Sequence, residues 1–121
     1  MSSVVYLLDD DEAVRESVAA ILHLNDVTVH TYASAVAFEG VQFEDHQSCL
    51  LIDVHLADGN GIETLSTLRK KGVTIPAIVM SGRMETGYTQ ALENLAPVVW
   101  LEKPIDGDAI ANLLHELLGG C

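Results

Sequence analysis

Apolar residues in this chain come in short blocks separated by segments that repeat at helical spacing. Val4–Leu8, Val27–Tyr32, Cys49–Val54, Ile75–Met80 and Val98–Leu101 are rich in branched, aliphatic and aromatic residues and are predicted as strands. Between the first two, Val14, Val18, Ile21 and Leu22 recur about one helical turn apart. Ser34–Phe38 reads as a weaker helix, and Ile62–Lys71 as a third with Leu65 and Leu68 turned inward. Met84–Asn94 is a fourth, more polar pattern. A fifth, Asp108–Leu118, carries Ile110, Leu113, Leu114 and Leu117, with Asp106 or Asp108 available as its cap. Strict alternation of strand and helix predicts an α/β fold: a doubly wound, five-stranded parallel sheet with helices on both faces. The third and fourth blocks are apolar almost throughout, as strands covered on both sides should be.

The chain has 121 residues, of which 49% are hydrophobic, enough for one domain with a sizeable core. Residues 1–118 are read as that domain and 119–121 as a C-terminal tail or linker remnant. No apolar run approaches the roughly 18 residues of a membrane span, and no signal segment opens the chain, so a cytoplasmic protein with no membrane partner is expected. Cys49 opens the apolar run "CLLIDV" and is expected to be a buried free thiol; Cys121 is the last residue. Eighteen acidic residues against six basic ones give a net charge of −12, which opposes binding to a nucleic-acid backbone. The one basic run, Arg69-Lys70-Lys71, is read as complementing a helix end before Gly72.

In sheets of this kind the functional crevice lies beyond the carboxyl ends of the strands. Asp9 and Asp10 follow the first strand, within a run of four acids that ends at Glu12. Asp53 ends the third, in "LLIDVHLADGNG"; Ser81 follows the fourth, in "AIVMSGR"; Lys103 follows the fifth, in "VVWLEKP". The second strand contributes no comparable group. Each of these is commonplace alone, but together they bring three carboxylates, a hydroxyl and an ammonium to one place. Two carboxylates about 4 Å apart repel by roughly 4 kcal/mol at an effective dielectric near 20, so solvent or a cation must offset the cost. A hard cation such as Mg²⁺ suits a few oxygen ligands plus water, with Asp10 and Asp53 direct and Asp9 through a water. A carboxylate can also serve as nucleophile towards phosphorus. Cation, Lys103 and the Ser81 hydroxyl would then each take one oxygen of a phosphoryl group in flight.

Asp9-Asp10, Asp53, Ser81 and Lys103-Pro104, at these separations, resemble the receiver domain of two-component response regulators over the whole length of the chain. The resemblance implies a flavodoxin-like (βα)5 sheet of order 2-1-3-4-5. It implies that Asp53 is phosphorylated by a histidine kinase or histidine phosphotransfer protein. Mg²⁺ or Mn²⁺ would be held at Asp9, Asp10, Asp53 and the backbone carbonyl of His55. Ser81 and Lys103 would hold the phosphoryl oxygens, and Ser81, Trp100 and Pro104 would take part in switching. The face of the fourth helix, fifth strand and fifth helix would meet a second copy or an output domain. Such a protein is a signalling phosphoacceptor rather than an enzyme, catalysing only its own phosphoryl transfer and dephosphorylation. Asp11 and Glu12 fit no site role and are read as favourable charge in the first helical turn. The chain departs from the family's pattern at Leu56-Ala57, where Met-Pro is usual, with the following Gly61 in place. It departs also at Gly82, at Ala96-Pro97, and at Trp100, where Tyr or Phe is commoner and whose bulk favours an outward ring before phosphorylation.

His23, His30, His46 and His115 show no metal-ligand spacing and are read as surface residues; the ring of His55 is placed where it could set water access to Asp53. A flavin binder of similar fold would need donors, not three aspartates, after the first strand. No P-loop motif occurs. A phosphatase with an aspartate nucleophile would want a D-x-D pair on the first strand, whereas the presumed nucleophile here, Asp53, ends the third. The remaining alternative is a degenerate receiver, a phosphorylation-independent binding module, which the complete set of site residues disfavours. "WLEKP" is similar to receivers joined to DNA-binding domains, so either a stand-alone receiver or part of a longer regulator is expected.

Overall fold

The structure, a computed structural model, describes residues 3–82 and 87–118. Strands β1 (Ser3–Leu8), β2 (Val27–Tyr32), β3 (Ser48–Asp53), β4 (Ala77–Ser81) and β5 (Val98–Glu102) pair in parallel in the order β2-β1-β3-β4-β5. They are connected through helices α1 (Glu12–Leu24), α2 (Ala35–Glu39), α3 (Gly61–Lys70), α4 (Tyr88–Glu93) and α5 (Gly107–Leu117). The α/β class and the five-stranded order are those expected from the sequence.

Alternation along each strand divides the apolar residues between two cores. Val5, Leu7, Cys49, Leu51, Ile78 and Met80 face Val18 and Leu22 of α1 and Ile110 and Leu114 of α5. Tyr6, Leu8, Leu50, Ile52, Ala77 and Val79 face Phe38 of α2, Ile62, Leu65 and Leu68 of α3, and Leu92 of α4. All six residues of β3 are buried, because the strand is covered on both faces and paired on both edges. Each fully buried Leu or Ile contributes about 1.5–3 kcal/mol through removal from water. Cys49 is a buried free thiol whose pKa burial pushes up to about 12, so it is chemically quiet. Cys121 lies outside the described residues. No described helix is long and apolar enough to cross a membrane.

Helix starts follow from short polar caps. Asp11 accepts from the amides of Ala13 (2.9 Å) and Val14 (3.3 Å), which makes it the N-cap of α1 rather than a first-turn residue. Ser34, Asn60 and Asp106 cap α2, α3 and α5 in the same way. Before α4, Gly87 lies in left-handed backbone with φ 95°, and α4 as described begins at Tyr88. Residues 84–86 of that expectation fall outside the described residues.

Strand four begins at Ala77 rather than Ile75, since the Ile75 carbonyl accepts from Arg69 Nη1 at 2.7 Å instead of joining the ladder. Arg69 lies in the last turn of α3, as the helix-end reading expects, but does more there. Its guanidinium donates to the carbonyls of Val73, Ile75, Leu95 and Pro97, tying the end of α3 to the approaches of β4 and β5. Lys71 reaches the Glu39 carbonyl at 3.3 Å. A two-residue antiparallel ladder, His55–Leu56 with Gly59–Asn60, lies between β3 and α3 and had no counterpart in the hydrophobic pattern.

Candidate functional site

The carboxyl ends of β1, β3, β4 and β5 bring Asp9, Asp10, Asp53, Ser81 and Lys103 to one edge of the sheet. Asp9 and Ser81 are 0% exposed and Asp53 4%, while Asp10 is exposed at the rim. Lys103 Nζ lies 3.0 Å from Asp9 Oδ2 and 3.3 Å from Asp53 Oδ2. The strand register holds this ammonium over β3, for the Lys103 amide donates to the Ser81 carbonyl at 2.7 Å. The Lys103–Pro104 bond is cis.

Asp9 is held from three sides. Its amide donates to the Tyr32 carbonyl at 3.1 Å, its Oδ1 accepts from the Asp11 amide at 2.9 Å, and its carbonyl accepts from Arg15 Nη1 at 2.8 Å. Arg15 lies four residues beyond the α1 cap, which puts it one turn along on the same face; that spacing was the signal for it, and sequence reasoning did not use it. Asp53 Oδ1 accepts from the His55 amide at 3.3 Å. Burial pushes the Asp53 pKa up, the charge of Asp9 adds to this, and the Lys103 ammonium and the His55 amide oppose it. Burial works against the charge of Lys103, yet the hydrogen bond to Asp9 and the charges of Asp53 and Asp9 outweigh it and raise its pKa.

Gly61 is required by close approach. Its amide donates to the Val54 carbonyl at 2.8 Å, and a Cβ there would collide with the Asp53 carbonyl oxygen and with Ile52. Gly82 is different, since an added Cβ would meet nothing within 4 Å among the described residues. Asp58, in the loop between β3 and α3, accepts from the amides of Ala35 (3.1 Å) and Val36 (3.3 Å). Nothing in its neighbourhood in the sequence points to that contact, because its partners lie more than twenty residues away. His55 is exposed, as are His23, His30, His46 and His115. Trp100 is half-buried rather than turned out to solvent. It packs on the α2–α3–α4 core, with its ring 5.7 Å from that of Tyr88 and tilted by 39°.

Carboxylate oxygens of Asp9, Asp10 and Asp53 all lie within 4.8 Å of one another, and this is the one cluster of potential metal ligands among the described residues. An all-oxygen donor set, partly open to solvent, with a buried carboxylate whose ionisation is opposed by its neighbour, fits a hard divalent cation.

Comparisons with known proteins bear on the family and the fold. The chain is 33% identical to the transcriptional regulatory protein FixJ of Azorhizobium caulinodans over 115 residues, 95% of this chain and 54% of that protein. It is 32% identical to the response regulator protein TodT of Pseudomonas putida over 97% of this chain and 52% of that one. It therefore spans about half the length of these relatives. The crystal structure of a response regulator receiver protein from Pseudoalteromonas atlantica superposes with a TM-score of 0.85 at 28% identity, covering 97% of this chain and 98% of that one. The family model for the response regulator receiver domain matches residues 5–115, and the chain belongs to that family.

Proposed function

We propose that this domain takes a phosphoryl group from a histidine kinase or histidine phosphotransfer protein onto Asp53. An Asp53 carboxylate oxygen attacks phosphorus as the bond to the donor histidine nitrogen breaks, giving an acyl phosphate. Asp10, Asp53 and the His55 carbonyl would hold Mg²⁺ or Mn²⁺, with Asp9 acting through a water. The cation supplies neutralisation of carboxylate and phosphoryl charge. Lys103, now paired with Asp9 and Asp53, transfers its contact to a phosphoryl oxygen, and the Ser81 hydroxyl donates to another. The Asp9 carboxylate, 3.0 Å from Lys103 Nζ, keeps that ammonium in place.

The observation that carries this reading is the buried Asp53 at the end of β3, with Lys103 at 3.3 Å and two further carboxylates beside it. The switch works through Ser81, Trp100 and Pro104, altering the face of α4, β5 and α5 that meets a second copy or an output domain. FixJ is a transcriptional regulator, and a role as the receiver part of a longer, cytoplasmic regulator fits this chain too. Reductive trapping of the acyl phosphate, followed by peptide mass spectrometry, tests the reading directly. Modification should fall on Asp53; modification elsewhere, or none, would refute it.

A further inference from the structure

The tip of the loop between β3 and α3, at Ala57 and Asp58, has little local support. Its two-residue ladder is shorter than an independently stable hairpin, and Ala57 does not restrict its own φ as a proline would. Yet this loop carries His55, and its tip is fastened from outside. Asp58 uses both carboxylate oxygens, Oδ1 on the Ala35 amide and Oδ2 on the Val36 amide. The anchor at the other end is rigid. Phe38 of α2 is 0% exposed and packs edge-on to Tyr32 and Phe43, at 5.4 and 5.2 Å between ring centres.

We propose that Asp58 is a positioning residue for the metal site, tying the tip of this loop to α2 so that the His55 carbonyl is held ready for a divalent cation. The inference rests on the reading that this carbonyl is a metal ligand. Asp58 touches neither cation nor phosphoryl group; it acts by restricting the loop. The loop is also fixed at its two ends, by the His55 amide on Asp53 Oδ1 and by Asn60 capping α3, which leaves the 57–58 tip as the part that needs a tether.

Calorimetric titration with Mg²⁺ of the wild type, Asp58→Ala, Asp58→Asn and the double variant Ala57→Pro/Asp58→Ala tests this. Because Asp58 is exposed, Asp58→Ala should fold, and its circular dichroism and thermal unfolding check that it does. The Mg²⁺ dissociation constant should rise about three- to tenfold in Asp58→Ala, equivalent to roughly 0.7–1.4 kcal/mol. Asp58→Asn, which keeps one acceptor, should lie between. The double variant should recover most of the loss, since proline restricts the same loop by another route. Removing a negative charge also weakens cation binding. That effect alone would make both single variants equally weak and leave the double variant unrescued, which would overturn the proposal.

Hydrogen exchange gives a readout that a mere cap on α2 would not move. By linkage, Mg²⁺ should slow exchange of the Ala35 and Val36 amides in the wild type but not in Asp58→Ala. Equal response in both proteins would overturn the tether. If the wild type itself binds no Mg²⁺, the reading of the site fails. If it binds and Asp58→Ala binds equally well, only the role of Asp58 fails.

Discussion

The ammonium of Lys103 rests 3.0 Å from Asp9 Oδ2, joining residues 94 positions apart. Asp9 has no exposed side-chain surface, whereas Lys103 keeps 23% of its own, so the cation reaches inward from the rim to a carboxylate that cannot reach water. A second contact, to Asp53, makes Lys103 the neutralising charge of the site before any phosphoryl group arrives.

Removing that charge should destabilise the metal-free protein. Lys103→Ala is expected to cost on the order of 1–3 kcal/mol, below the range for a wholly buried pair because Lys103 is partly solvated. Urea unfolding in EDTA and in excess Mg²⁺ checks this. The loss should shrink in Mg²⁺, which takes over the neutralisation, while phosphorylation-dependent change is lost. An equal loss in both conditions would contradict it.

Asp53 sets a pH dependence. Its folded pKa is raised, so the folded state binds more protons than the unfolded state in the range just above the ordinary carboxylate value. Metal-free stability gained from this group is therefore present at low pH and lost as pH rises through the folded pKa. Asp53→Asn, which never ionises, should become progressively more stable relative to wild type as pH rises through the folded pKa of Asp53. Urea midpoints of the two proteins in EDTA, from pH 4 upward (roughly the ordinary carboxylate pKa), give the difference directly. Excess Mg²⁺ should abolish the advantage of the variant.

Two glycines make a matched pair. Gly61→Ala drives a Cβ into the Asp53 carbonyl and into Ile52, and is expected to cost on the order of 2 kcal/mol or more and to suppress modification of Asp53. Gly82→Ala meets no described residue within 4 Å and should stay within about 0.5 kcal/mol of wild type. Thermal unfolding and phosphorylation assays of both would expose any reversal of this order.

The short, almost wholly apolar blocks of β1, β3 and β4, set between segments of helical spacing, are why the strands and a sheet covered on both faces were legible in the sequence. Asp9, Asp53, Ser81 and Lys103 were legible because a parallel sheet delivers every strand end to the same edge. What was not legible depends on contacts between segments distant in sequence. The Asp58 carboxylate caps a helix that precedes it, and Arg69 serves carbonyls from two later approaches to the sheet. The ladder at His55–Leu56 is too short to leave a period-two pattern. Asp11 reads in the sequence as favourable charge in the first turn of α1, whereas two amides of that turn donate to it as the cap.

Trp100 is the only tryptophan, so its emission reports one place. Its ring packs beside Tyr88 on the α4 side of β5. Beryllofluoride with Mg²⁺, standing in for the phosphoryl group, should shift this emission and change acrylamide quenching, as the Ser81 hydroxyl moves to the new acceptor. Ser81→Ala should blunt the response. Emission that stays fixed while Asp53 is modified would make Trp100 a static packing residue.

The central claim is that Asp53 is a metal-dependent phosphoacceptor. Intact-mass measurement after incubation with acetyl phosphate tests it most directly, run with Mg²⁺, with EDTA, and on Asp53→Asn with Mg²⁺. The account predicts a single added phosphoryl group on the wild type with Mg²⁺, and none in the other two. Equal labelling of Asp53→Asn, or a wild type that binds Mg²⁺ yet gains no phosphoryl group, would contradict it and leave a receiver fold used only for binding.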